Sequence, residues 1–217
     1  MKKGKICAVI TNTNLGAIKW AEKVADFFEV RIDLIGTSWP DIVRDLEKPW
    51  IATNRSREEH GLWEGSEEGR AAELLKAAEL GAWMVDIELE SPSLNLILKE
   101  TRGRAQCLVS YHDWKGTPPV AVLAKTVERS LSAGAYACKV VGTARRFEDN
   151  LKVLRLLQMF PTARLVAFAM GEKGILSRIL SPLAGAYFTY ASIEGARASA
   201  QGQLTVQKMR EIYSLMK

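Results

Sequence analysis

Short runs of β-branched, aromatic and other apolar residues alternate along the chain with longer stretches whose apolar positions recur every three or four residues. The short runs are KICAVIT (5–11), VRIDLIG (30–36), WIATNR (50–55), WMVDIEL (83–89), QCLVSYH (106–112), ACKVVGT (137–143), RLVAFAM (164–170) and AYFTYAS (186–192). They predict eight strands. Helical periodicity is carried by GAIKWAEKVADFF (16–28), SEEGRAAELLKAAEL (66–80), PPVAVLAKTVERSLS (118–132), EDNLKVLRLLQMF (148–160) and LTVQKMREIYSLM (204–216). Gly81, Gly134 and Gly185 stand where a helix should end in a left-handed cap with a strand following at once. Ser38 with Pro40, and Pro118 with Pro119, mark helix starts.

Such alternation predicts an α/β protein with a parallel sheet, and eight units favour closure into a (β/α)8 TIM barrel over an open doubly wound sheet. The whole of 1–217 reads as one domain. TNTNLGAIKW, between the first strand and helix, lacks the glycine fingerprint of a dinucleotide site, and no Walker loop occurs. In a barrel the functional groups belong at the C-terminal ends of the strands, and that is where ionisable residues collect. Glu29, Arg31 and Asp33 alternate in the second strand, Asn54 and Arg55 end the third, and Asp86 and Glu88 end the fourth. Ser110 and His112 end the fifth, and Lys139 lies in the sixth. Alternation places each strand's set on one face, which a barrel can turn inward.

Composition narrows the class further. With 47% hydrophobic and 25% charged residues the chain is expected to fold as a soluble globular protein, and no apolar run approaches membrane-spanning length. Cys7, Cys107 and Cys138 lie in apolar runs without metal-ligand spacing, as reduced core thiols of a cytoplasmic protein would. The net charge of +5 comes from cations interleaved with acids, as in RRFEDNLKVLR (145–155). These read as solvated helix faces with a bias toward an anionic small molecule, and nucleic acid is not expected as a partner.

Lys139 is the residue that asks for an explanation, because an amine in an apolar strand needs a charged partner or must lose its charge. Asp86 and Glu88 could neutralise it, Arg31 and Asp33 could form an internal ion pair, and His112 could be structural. Convergence of about six ionisable groups favours a site, since buried ion pairs rarely add net stability. A lysine whose charge is disfavoured by apolar walls and neighbouring cations can add to a ketone or aldehyde, and the protonated imine acidifies the adjacent C–H. His112 could remove that proton and return one to a leaving hydroxyl. This chemistry needs no metal, and His60 and His112, the only two histidines, are not spaced as ligands.

E-x-R-x-D (29–33), TNR (53–55), VDIEL (85–89), SYHD (110–113), KVV (139–141), GILSR (174–178) and SAQGQ (199–203) together resemble the type I 3-dehydroquinate dehydratases, in order and over nearly the whole chain. The resemblance implies syn elimination of water from 3-dehydroquinate through a lysine imine, without cofactor or metal, in a homodimer. It implies Lys139 as the Schiff-base lysine, His112 as general acid/base, Glu59 supporting that histidine, and Asp86 assisting. Glu29, Arg31 and Arg55 would hold the substrate's hydroxyls and ring, and Arg178 its carboxylate. Ser199 and Gln203 would belong to a mobile loop over 197–203 that closes on the ring. Two departures stand out: His60 where the family often has glycine, expected as a mobile rim residue, and Gln201 where the loop often has proline, expected to loosen it. A class I aldolase on the same fold is the alternative enzyme.

Overall fold

A computed structural model describes residues 4–196 and 198–216, so Arg197 of the expected 197–203 loop lies outside the described residues. Strands β1 (Ile6–Ile10), β2 (Phe27–Arg31), β3 (Trp50–Thr53), β4 (Met84–Glu88), β5 (Gln106–His112), β6 (Ala137–Thr143), β7 (Leu165–Met170) and β8 (Thr189–Ser192) form one sheet. Its order is β7-β6-β5-β4-β3-β2-β1-β8, with every neighbouring pair parallel. The two ends of that order meet where the Tyr187 N–H donates to the Leu165 carbonyl at 2.8 Å. The barrel is therefore nearly closed, with a seam between β7 and β8.

Around it run α1 (Leu15–Glu22), α2 (Ile32–Ile35), α3 (Trp39–Arg44), α4 (Glu67–Glu79), α5 (Leu94–Glu100), α6 (Val120–Ser132), α7 (Asp149–Met159), α8 (Ile175–Leu180) and α9 (Val206–Leu215). The expected caps hold at Gly81 and Gly134, with φ of 90° and 100°, whereas Gly185, at φ 105°, ends a turn beyond α8, whose own C-cap is Ser181. Beside them the N–H groups of Ala82, Ala135 and Ala186 donate to the carbonyls of Ala77, Ser130 and Ser181, which closes each preceding turn. At the other end of α4, Ser66 Oγ accepts the Gly69 N–H at 3.1 Å.

The second strand departs from the sequence reading. The first helix stops at Glu22 and β2 starts at Phe27, three residues before the predicted VRIDLIG. The apolar pair Phe27 and Phe28 continues the helical period in sequence, but Asp26 interrupts it in space. Its carboxylate accepts the Ile6 N–H at 2.7 Å and pairs with Arg210 at 2.7 Å, fixing the chain at the mouth of β1. Beyond Arg31 the chain turns into α2, so Asp33 is helical and does not share a strand face with Glu29 and Arg31.

Alternation along the strands separates two environments. Outward positions pack beneath the helices, with Phe28, Val85 and Val109 in the cluster under α1, α3, α4, α5 and α9, and Cys138, Val140 and Ala167 under α6 and α7. Inward positions form their own core of Phe27, Met84, Leu108, Val166 and Phe188 with their neighbours. Phe188 is fully buried there and stands edge-on to Phe27 at 4.8 Å between ring centroids. Among the described residues no helix is long and apolar enough to cross a membrane. Phe188→Ala is expected to cost about 3–5 kcal/mol, read from the urea unfolding midpoint, because the rigid strands around the ring cannot collapse into the space.

Candidate active site

The same inward positions change character one layer higher. Glu29 on β2, Thr53 on β3, Asp86 and Glu88 on β4, Ser110 on β5 and Lys139 on β6 all lie on the interior faces of their strands and are all buried. Arg55 enters from the segment after β3. A cavity opens above them, lined by Glu29, Arg31, Arg55, His112, Lys139 and Arg178 among others.

Lys139 is 6% exposed, and its amine has partners in place of the apolar walls and cations expected from sequence. Nζ lies 3.1 Å from Asp86 Oδ2, 3.8 Å from Glu29 Oε1, and 4.5 Å from the Tyr190 ring centroid. Asp86 gives its other oxygen to Arg55 Nη2 at 2.8 Å and to the Ser110 hydroxyl at 2.6 Å. Burial alone would push the Asp86 carboxyl up; Arg55, Lys139 and the Ser110 hydroxyl outweigh it and hold the carboxyl well below the usual range. Glu88 does not neutralise Lys139. It makes ion pairs with Arg55 at 2.9 Å and with Arg70 at 2.7 Å.

His112 has a side chain only 7% exposed, with Nδ1 3.3 Å from Glu59 Oε2. The two atoms are within ion-pair distance but misaligned for a hydrogen bond, so each lacks a hydrogen-bond partner among the described residues. Burial, reinforced by Arg55 and Lys139, holds the imidazole well below its ordinary pKa, which leaves it neutral and able to accept a proton. Burial also raises the Glu59 carboxyl, against the pull of Arg55. Trp114 stacks on His112 at 5.4 Å, and its ring lies 4.2 Å from that of His60. His60 is an exposed rim residue, as expected, yet it lines the cavity at a φ of 58°. Next to it Gly61 has no room for a Cβ, which would overlap the Arg55 carbonyl oxygen.

Arg31 forms the ion pair that the sequence allowed: Nε and Nη2 donate to Asp33 at 2.9 and 2.7 Å, and Asp33 also accepts the Leu62 N–H at 3.1 Å. Arg178 is the opposite case. It is 2% exposed, stands over the Phe168 ring at 4.3 Å, and leaves Nε and Nη2 without a hydrogen-bond partner among the described residues. With no anion beside it, burial draws its pKa down to about 10. Ser199 and Gln203 reach the cavity from above, the Ser199 N–H and hydroxyl donating to Gln203 Oε1 at 3.0 and 3.1 Å. The Gln201 carbonyl accepts the Gly171 N–H at 3.2 Å, which ties this segment to the end of β7.

Four residues of the site were not read from sequence. Thr53 donates its hydroxyl to Glu29 at 2.9 Å, and the inward alternation of β3 could have shown it. Tyr190 follows in the same way from β8. Trp114 lies in a loop and Arg70 in a charged helix, where no local pattern marks them.

A parallel barrel with a buried lysine and an imidazole around one polar cavity defines an enzyme, and the sequence assigns it to a class, the lyases that eliminate water. Residues 6–217 match the type I 3-dehydroquinase family, and the chain belongs to that family. It is 45% identical over 214 residues to a 3-dehydroquinate dehydratase of Dehalococcoides mccartyi, covering 98% of this chain and 96% of that one. A 3-dehydroquinate dehydratase of Methanocaldococcus jannaschii is 38% identical over 207 residues, covering 92% and 93%. The fold is similar to a crystal structure of the type I enzyme from Clostridium difficile, with a TM-score of 0.85 at 20% identity, covering 100% of this chain and 94% of that one.

Gly61→Ala is expected to displace Arg55 and lower kcat by at least tenfold, measured in steady-state assays alongside circular dichroism to confirm folding. A pH effect follows from Glu67, which pairs with Arg70 through two hydrogen bonds of 2.7 and 2.9 Å. Burial acts against it, but Arg70 and Ser91 lower its carboxyl to about 2 from an ordinary 4.5. Its folded-state pKa is depressed, so its contribution is present above about pH 4.5 and lost as the pH falls toward 2. Glu67→Gln should therefore be less stable than the parent at neutral pH and lose less on acidification, as thermal melts from pH 7 to 2 would record.

Proposed function

We propose that the chain converts 3-dehydroquinate to 3-dehydroshikimate by syn elimination of water through an imine on Lys139. The observation that carries this reading is the buried Arg178 guanidinium, whose Nε and Nη2 have no hydrogen-bond partner among the described residues and which lines the cavity that Lys139 and His112 share. A buried cation with free donors is costly unless an anion completes it, and a substrate carboxylate is the complement its fork best fits. With the carboxylate on Arg178, the substrate ring spans the cavity and its ketone is directed to Lys139. Glu29, Arg31 and Arg55 line the wall where the ring hydroxyls would bind.

The Lys139 amine gives a proton to solvent and adds to the ketone, and a proton taken up in return lets the carbinolamine hydroxyl leave as water, so that a protonated imine remains. That imine draws the electrons of the neighbouring C–H bond as His112, neutral in its buried position, takes the proton. The resulting enamine expels the β-hydroxyl, which leaves as water with the proton His112 returns, and hydrolysis of the conjugated imine releases the product and the amine. Glu59 supports His112 by aligning with Nδ1 as the imidazole becomes charged. Asp86 stays anionic throughout and serves the amine as a fixed counter-charge. Closure of the segment that carries Ser199 and Gln203 excludes water while the imine exists.

Borohydride added with 3-dehydroquinate should fix a ring-sized adduct on Lys139, detectable by peptide mass; an unmodified Lys139 at saturating substrate would remove the imine from the mechanism. His112→Ala should still form the adduct while turnover falls about 10²–10⁴-fold. Arg178→Met should raise KM for the carboxylate substrate far more than it alters stability. Equal adduct formation and an unchanged KM in that variant would mean that the carboxylate binds elsewhere.

A further inference from the structure

Arg70 projects from the outer helix α4, in a stretch that reads as a solvated face, yet it is 2% exposed and every nitrogen of its guanidinium is engaged. Nε and Nη2 hold Glu67 at 2.7 and 2.9 Å, and Nη2 also donates to Ser91 Oγ at 3.0 Å. Nη1 donates to the Asn54 carbonyl at 2.9 Å and to Glu88 Oε2 at 2.7 Å. From Glu88 the contacts run inward with alternating charge. Glu88 Oε1 meets Arg55 at 2.9 Å, Arg55 meets Asp86 at 2.8 Å, and Asp86 meets the Lys139 amine at 3.1 Å.

We propose that Arg70 is a positioning residue for Lys139: by neutralising Glu88 it leaves Arg55 free to hold Asp86, and so sets the negative charge that the reacting amine faces. The assignment rests on Lys139 forming the imine. Arg55 stands between two buried carboxylates, Asp86 and Glu88, and could serve either. Arg70 settles the competition by giving Glu88 a second cation from outside the barrel. Without it, Glu88 would draw Arg55 away from Asp86, and one more uncompensated negative charge would lie behind the amine.

The other groups around Lys139 do not replace this control. Asp86 from β4 and Glu29 from β2 are its anionic partners, and Arg55 acts through Asp86. His112 from β5 is neutral, while burial raises both Tyr190 from β8 and Cys7 from β1, so all three stay uncharged near neutral pH. The amine must lose its proton to attack a ketone, so extra negative charge behind it should move imine formation to higher pH.

The test is the pH dependence of borohydride trapping of 3-dehydroquinate on Lys139. In Arg70→Met the half-maximal pH should rise by roughly one unit, which is about a tenfold slower trapping near pH 7. Arg70→Lys, which keeps the charge but cannot make all the contacts, should restore the midpoint while melting at a lower temperature. Glu88→Gln should lower the midpoint, and the double variant R70M/E88Q should return it to the parent value. If Arg70→Met does not fold, the Glu88→Gln and double variants, which carry no unpaired buried carboxylate at 88, make the same comparison. A midpoint that stays put across the folded variants, with only their melting temperatures changed, would overturn the assignment. Absence of any adduct in the parent protein would instead remove the imine reading on which the assignment stands.

Discussion

One carboxylate holds this site together. Asp86 has no exposed side-chain surface, and its two oxygens are shared by Lys139 Nζ, the Arg55 guanidinium and the Ser110 hydroxyl. An isolated carboxylate could not be buried there, because its desolvation would cost several kcal/mol. Neither could either cation alone. These groups come from β4, β5, β6 and the segment after β3, so burying any one requires the register that buries the others. The Coulombic requirement and the geometry of the barrel then specify the same arrangement.

That arrangement depends on the alternation of strand residues. Met84 and Asp86 face inward from one strand two residues apart, and so do Leu108 and Ser110, or Ala137 and Lys139. The lower member of each pair belongs to the apolar interior and the upper to the site. A single-residue slip in β4 or β6 would exchange an interior charge for a residue meant to lie under a helix. The apolar layer of Phe27, Met84 and Phe188 beneath the charges lowers the local polarisability, which strengthens each ion pair above it. It also keeps water from approaching the cavity through the barrel floor.

This is why so much was legible in the sequence. Seven strands and the five longer helices announced themselves by period, and the candidate residues on β2, β4, β5 and β6 converge because they share the inward phase. The misplaced start of β2 shows the limit of that signal: two phenylalanines satisfy both periods, and the Asp26 contacts that decide between them reach 20 residues back and 184 residues forward in the chain. The short helices α2, α5 and α8, at 4, 7 and 6 residues, are too brief to display a period. The distribution of partners among the charges could not be read either. Sequence offered Asp86 and Glu88 equally to Lys139; the structure gives the amine Asp86, while Glu88 pairs with Arg55 and with Arg70, which reaches over from a helix.

The two buried arginines of the cavity show how the same side chain can serve stability or binding. Arg55 has carboxylate partners on Asp86 and Glu88, which raise it above its ordinary pKa against the opposing effect of burial. It is committed within the protein and can offer a ligand only what those partners leave. Arg178 has an aromatic face on one side and free donors on the other, and burial lowers it. An arriving carboxylate would therefore gain most at Arg178, where it relieves an uncompensated charge, and least at Arg55, where it would have to displace one. On the proposed reading this difference would fix the polarity of a bound acid before any contact with its ring, with the carboxylate end at Arg178 and the carbonyl end left for Lys139.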